Sequence, residues 1–153
     1  MKECSTFIGS PPIPNTIHHS PLTTHHEPWL PNPTLTPGSV VILDFAAIDL
    51  PGYALQWRDV TQKAKEKVYR RYGIATRERR RFDIDHLVPL SLGGSNDLRN
   101  LWPHPWDCPW NPRMKAALEA RLRVLVRKGL VGLRDAQEAL CRDWVEAYGR
   151  YLI

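Results

Sequence analysis

Cysteine is scarce in this chain and its spacing serves no common scaffold. Cys4, Cys108 and Cys141 are odd in number and no CxxC pair occurs. That excludes a fully paired disulfide framework and a four-cysteine structural zinc, so packing alone must hold the fold. Long apolar runs are missing too: no stretch approaches the ~18 residues that a membrane span needs. The opening MKECSTFIGSPP has one lysine but no sustained apolar core, so no secretory leader is expected and the cytoplasm is the expected compartment. Residues 1–37 lack helical or strand periodicity and are rich in Pro, Thr, Ser and His. Such a segment buries too little apolar surface to offset ordering, so it is expected to be a disordered or extended arm. Its His18-His19 and His25-His26 pairs fit no helix face and read as solvated rather than as a metal store. Trp29 and Leu30 are the residues expected to pin its end to the domain.

The remaining residues, 38–153, carry enough apolar side chains for one core; hydrophobic content over the whole 153-residue chain is 42%. Lys and Arg number 21 against 16 Asp and Glu, a net charge of +5. A basic balance favours a polyanionic partner such as nucleic acid.

Patterning predicts the elements. Gly38 to Phe45 reads as a short strand or buried extended segment through Val40, Val41 and Ile42. Residues 59–72 read as a helix capped by Asp59, with Val60, Ala64, Val68 and Tyr72 as its buried stripe and Gly73 as its end. Basic residues crowd its other faces and continue through Arg77, Arg79, Arg80 and Arg81, a patch that suits phosphate contact. Phe82 to His86 alternates as a strand, and Leu98 to Trp102 is expected to return beside it. The prolines of 103–109 are expected to exclude strand, with Trp106 and Trp110 buried. Asn111-Pro112 opens a helix as N-cap and first residue, with Met114, Leu118, Leu122 and Leu125 or Val126 inward. Residues 134–151 form a last helix, packed on it as a buttress. Cys108 and Cys141 are expected to be structural.

The stretch with chemical content is FDIDHLVPLSLGGSNDLRNLWPHPWDCPWN, residues 82–111. An imidazole with a pKa near neutrality, His86, can take a proton from water. A neighbouring carboxylate, Asp85, with an amide or imidazole ligand, can hold a hard divalent cation that keeps open positions. Gly93-Gly94 lets the chain fold back between the two. That combination suits metal-assisted phosphodiester hydrolysis.

This series, Asp-His, Gly-Gly, Asn100 before Leu101 and a later Asn leading a helix, resembles the HNH endonucleases, a branch of the ββα-metal (His-Me finger) nucleases. The likeness extends less tightly through TPGSV (36–40), PGY (51–53) and a tail with AQEAL and DW, as in small bacterial and phage proteins of that family. It implies an α+β fold: a ββα-metal finger with a short β-hairpin (core 82–128), flanked by a preceding helix and a C-terminal helical pair. It implies His86 as general base, Asp85 as metal ligand, and Asn100 as the catalytic-centre residue whose side chain bridges the loop. The second ligand stays open: Asn111 has the family's place, but the long HPWDCPW spacer offers His104 and Asp107 as competing donors. The implied cofactor is one divalent ion, Mg2+ or Mn2+, with Zn2+ or Ni2+ as alternatives. The implied partner is DNA, double-stranded, with RNA as the alternative, contacted by Arg79, Arg80, Arg81, Arg113 and Lys115. No membrane partner is expected, and a monomer or weak dimer is. The competing expectations are a non-catalytic nucleic-acid-binding module on the same fold and a nuclease toxin or effector module.

Overall fold

Two short antiparallel strands, β1 (Phe82–His86) and β2 (Leu101–Pro105), form the centre of the computed structural model, which describes residues 27–153. Cys4 and both His-His pairs lie outside the described residues. Phe82 pairs with Pro105, Asp85 with Trp102 and His86 with Leu101. Directly opposed residues share a face and successive ones alternate. Asp83, Asp85, Trp102 and His104 therefore point to one side of the ribbon; Ile84, His86, Leu101 and Pro103 point to the other.

Each side is covered by helix. Ile84 and Leu101 pack with Val60, Ala64, Val68 and Tyr72 of the α2 region (α2, Gln62–Arg71). Trp102 joins a larger cluster with Leu118 and Leu122 of α3 (Pro112–Arg127) and Leu140, Trp144 and Ala147 of α4 (Leu133–Leu152). Each such buried aliphatic side chain contributes about 1.5–3 kcal/mol. A single turn, α1 (Tyr53–Gln56), precedes α2. The chain is thus a mixed α+β structure. Among the described residues no helix is long and apolar enough to cross a membrane.

Several expectations need correction. The return strand begins three residues later than predicted and runs through Pro103 and Pro105. Proline is tolerated because of parity. The flanking bonds, Leu87 N–H to the Asn100 carbonyl (2.7 Å) and Trp106 N–H to the Arg81 carbonyl (2.9 Å), put the even-numbered residues of β2 toward β1. Positions 103 and 105 point outward, so their missing N–H groups cost no ladder bond. Residues 38–45 form no strand beyond the isolated Val40–Gly94 bridge, and Val41 and Leu43 are exposed. The cap of α2 is the Thr61 hydroxyl, which accepts from the Ala64 N–H at 3.2 Å, not Asp59. Trp106 is exposed, while Trp110 packs edge-on against Trp144 and Tyr148. α4 is broken at Asp143, whose extended backbone (φ −164°, ψ 102°) interrupts the helix while its Oδ1 accepts from the Val145 and Glu146 N–H groups and restarts it.

The arm's end is part of the folded body. Trp29 and Leu30 pack on the main core, and the Trp144 indole donates to the Trp29 carbonyl at 2.9 Å. Thr36 is buried, its hydroxyl bonded to Tyr72 Oη (2.8 Å) and the Leu101 carbonyl (3.0 Å). Arg71, on the helix read as basic surface, instead bonds the Leu35 and Leu98 carbonyls at 2.7 and 2.8 Å. The body therefore begins before residue 37.

The loop between the strands folds back so tightly that a Cβ on Gly94 would sit 1.8 Å from the Val88 carbonyl oxygen. Gly94→Ala is expected to lower stability by about 3 kcal/mol or more, since backbone must move. Gly149→Ala, in α4 with nothing within 4 Å of the new Cβ, is expected to raise it by about 0.5–1 kcal/mol. Urea unfolding of the two variants checks both signs.

Candidate active site

The loop from Leu87 to Asn100 is closed by one side chain. Asn100 is fully buried; its Oδ1 accepts from the Val88 N–H (3.0 Å) and the Ser39 N–H (3.3 Å), and its Nδ2 donates to the Val88 (2.9 Å) and Ser95 (2.8 Å) carbonyls. Both ends of the amide are spent on main chain, so Asn100 shapes the loop and offers nothing to a substrate.

His86 is the last residue of β1 and is half-buried. Its Nε2 lies 2.7 Å from Asn96 Oδ1, and Asn96 Nδ2 donates to the Trp57 carbonyl at 2.7 Å. Burial holds the imidazole below its ordinary pKa, outweighing the Asn96 bond and the Asp85 charge that raise it. The ring is therefore neutral at pH 7, as a proton acceptor must be.

Asp85 belongs to the opposite face, in a charge cluster whose Lys115 and His104 are buried and whose carboxylates are partly so. Its Oδ2 lies 3.2 Å from His104 Nδ1 and 3.1 Å from Lys115 Nζ. Lys115 also donates to the His86 carbonyl at 2.6 Å and pairs with Glu119 one turn on. His104 is buried, and its Nε2 lies 2.7 Å from the Trp110 carbonyl. Both ring nitrogens of His104 are thus occupied by protein oxygens.

Despite their opposite faces, Asp85 and His86 meet through Lys115, which touches the carboxylate of one and the carbonyl of the other. The Lys115 and His104 charges hold Asp85 at a pKa of about 2 against the cost of burial. Glu119 shares the same ammonium but also feels Asp85, and burial leaves it raised to about 7.

Three expected site residues are placed otherwise than predicted. Lys115 is fully buried, engaged by the cluster, and cannot reach a phosphate. His104 has both nitrogens occupied and is not free to ligate a metal. Arg79 is turned inward, over the Tyr69 ring and toward Glu66. Arg80 and Arg113 are exposed, and Arg81 is exposed beside Asp107 at 3.6 Å. Asn111 caps α3, its Oδ1 accepting from the Arg113 N–H at 3.0 Å; among the described residues no hydrogen bond joins its side chain to Asp85 or His86. Asn96 and Glu119 went unnoticed in the sequence. Glu119 lies four residues after Lys115 on one helix face, a legible pairing. Asn96 sits in a turn where Asn is ordinary, and nothing local distinguishes it.

Among the described residues no group of three or more His, Cys, Asp or Glu side chains is arranged to hold a metal ion. The donors that remain are oxygens: Asp85 Oδ1, which takes no hydrogen bond among the described residues, and the second lone pair of Asn111 Oδ1. One carboxylate, one amide oxygen and water fit the chemistry of a hard divalent cation. A concavity of about 380 Å3 lies between the 129–132 turn and α4, and none of these residues lines it. Comparison with protein-family models, with curated proteins and with solved structures finds no match to this chain.

The Glu119 shift makes stability depend on pH. The unfolded carboxyl loses its proton near 4.5, the folded one near 7, so the folded state binds the extra proton between those values. That contribution is fully present below pH 4.5 and is lost as pH rises through about 7. In urea unfolding of the metal-free protein, this group's contribution is expected to fall across that window, and Glu119→Gln is expected to remove that fall relative to wild type.

Proposed function

We propose that this chain is a metal-dependent endonuclease of the HNH type, which hydrolyses DNA phosphodiester bonds with His86 as general base and one divalent cation. The observation that carries the reading is the neutral, half-buried imidazole at the end of β1 beside an ionised carboxylate, with an Asn-capped helix packed behind them. Asp85 and Asn111 are the residues that would hold the ion. Bound there, Mg2+ or Mn2+ would offset negative charge on the phosphate and on the leaving oxygen. His86 takes a proton from water; the water oxygen bonds to phosphorus, the bond to the 3′ oxygen breaks, and that oxygen is protonated by solvent. The products carry 5′-phosphate and 3′-hydroxyl ends. Arg80 and Arg113, exposed near the hairpin and the start of α3, contact flanking phosphates. One hairpin provides one cleavage centre, so a monomer nicks.

One feature favours a second reading, a nucleic-acid-binding module that has given up catalysis. Asp85 is already engaged by the Lys115 ammonium and the His104 ring, as a carboxylate with no metal to serve would be.

Supercoiled plasmid incubated with the protein and Mn2+ or Mg2+ separates the two. Nicking is expected, with His86→Ala slowing it by about 10^2-fold or more and Arg80→Ala weakening it in a salt-sensitive way. Intact plasmid at every metal and salt concentration, together with a salt-sensitive gel shift, supports the binding module instead.

A further inference from the structure

Asn96 is exposed, in the Ser95-Asn96-Asp97 turn, and its side-chain amide meets two partners. One end meets the Trp57 carbonyl at 2.7 Å, the other meets His86 Nε2 at 2.7 Å. A carbonyl oxygen only accepts, so the end facing Trp57 must be the NH2 group. The end facing His86 is then the amide oxygen, which also only accepts. Nε2 must therefore carry a hydrogen, and in a neutral ring Nδ1 must not. Among the described residues Nδ1 has no hydrogen-bond partner. The orientation follows from the pair of contacts together and from neither alone.

We infer that Asn96 is a positioning residue that locks His86 as the Nε2–H tautomer and presents Nδ1 as the nitrogen that takes the proton from water. The role in catalysis rests on reading His86 as the general base; the tautomer lock does not. The lock reaches across the fold, because Trp57 follows α1 and the loop carrying Asn96 lies between the strands. Asn96 differs in kind from Asn100. Asn100 spends its amide on main chain and holds the loop's shape, whereas Asn96 spends half of its amide on the imidazole.

Long-range 15N–1H correlation spectra of the full chain at about pH 8, where the ring is neutral, read the tautomer directly. The expected wild-type result is a protonated Nε2 and an unprotonated Nδ1 for His86. Asn96→Ala is expected to move the two nitrogen shifts toward each other as the second tautomer becomes populated. Asn96→Asp, which keeps an acceptor at that place, is expected to restore the separation. In plasmid nicking, Asn96→Ala is expected to lower kcat by about tenfold with KM little changed, a loss typical of removing an orienting partner. A protonated Nδ1 in the wild type, or unchanged shifts in Asn96→Ala, overturns the lock. Absence of nicking by the wild type sinks the nuclease reading, and the spectra then decide the lock by themselves.

Discussion

A single buried ammonium ties the structure together. Lys115 is fully enclosed, and its Nζ reaches Asp85 and the His86 carbonyl on β1 and Glu119 on its own helix. Burying a charge is costly unless it is paired and hydrogen-bonded, so this contact works only with every partner in place. The contact ties the first turn of α3 to the end of β1. It also puts the helix start, with Asn111, behind the Asp85–His86 pair. His104 closes the arrangement by linking Asp85 to the Trp110 carbonyl, one residue before that start. Hairpin and helix therefore hold one another through polar contacts, while Trp102, Leu118 and Trp144 pack around them.

Much of the scaffold was legible because it follows local rules. The Val60, Ala64, Val68 and Tyr72 stripe is all found in one cluster, and Asn111-Pro112 opens α3 as N-cap and first residue. Periodicity and capping are properties of neighbours in sequence. The errors have a common origin in partners far along the chain. Proline excludes strand only where the N–H would face a partner, and parity in β2 turns it outward. Val41 is β-branched but has no neighbouring strand to join. Trp29 and Leu30 pin the arm as expected, but Thr36 lies in a stretch of loop composition and is captured by Tyr72.

The candidate site divides in the same way. Asp85, His86 and Asn100 stand out by their residue types and order. The sequence could not tell which basic residues face outward: Lys115 looked like surface charge and is fully buried, whereas Arg80 is exposed. Nor could it separate the two loop asparagines, because their roles depend on whether the facing group is main chain or the imidazole. The charge cluster also gives the two proposed readings a common physical question, whether Asp85 exchanges part of its contact with Lys115 and His104 for a divalent cation.

That exchange is best tested by an anomalous difference map from crystals of the full chain grown with Mn2+. The account predicts a manganese peak contacted by an Asp85 carboxylate oxygen and Asn111 Oδ1. A map without such a peak at millimolar Mn2+, with Lys115 still holding Asp85, would contradict it.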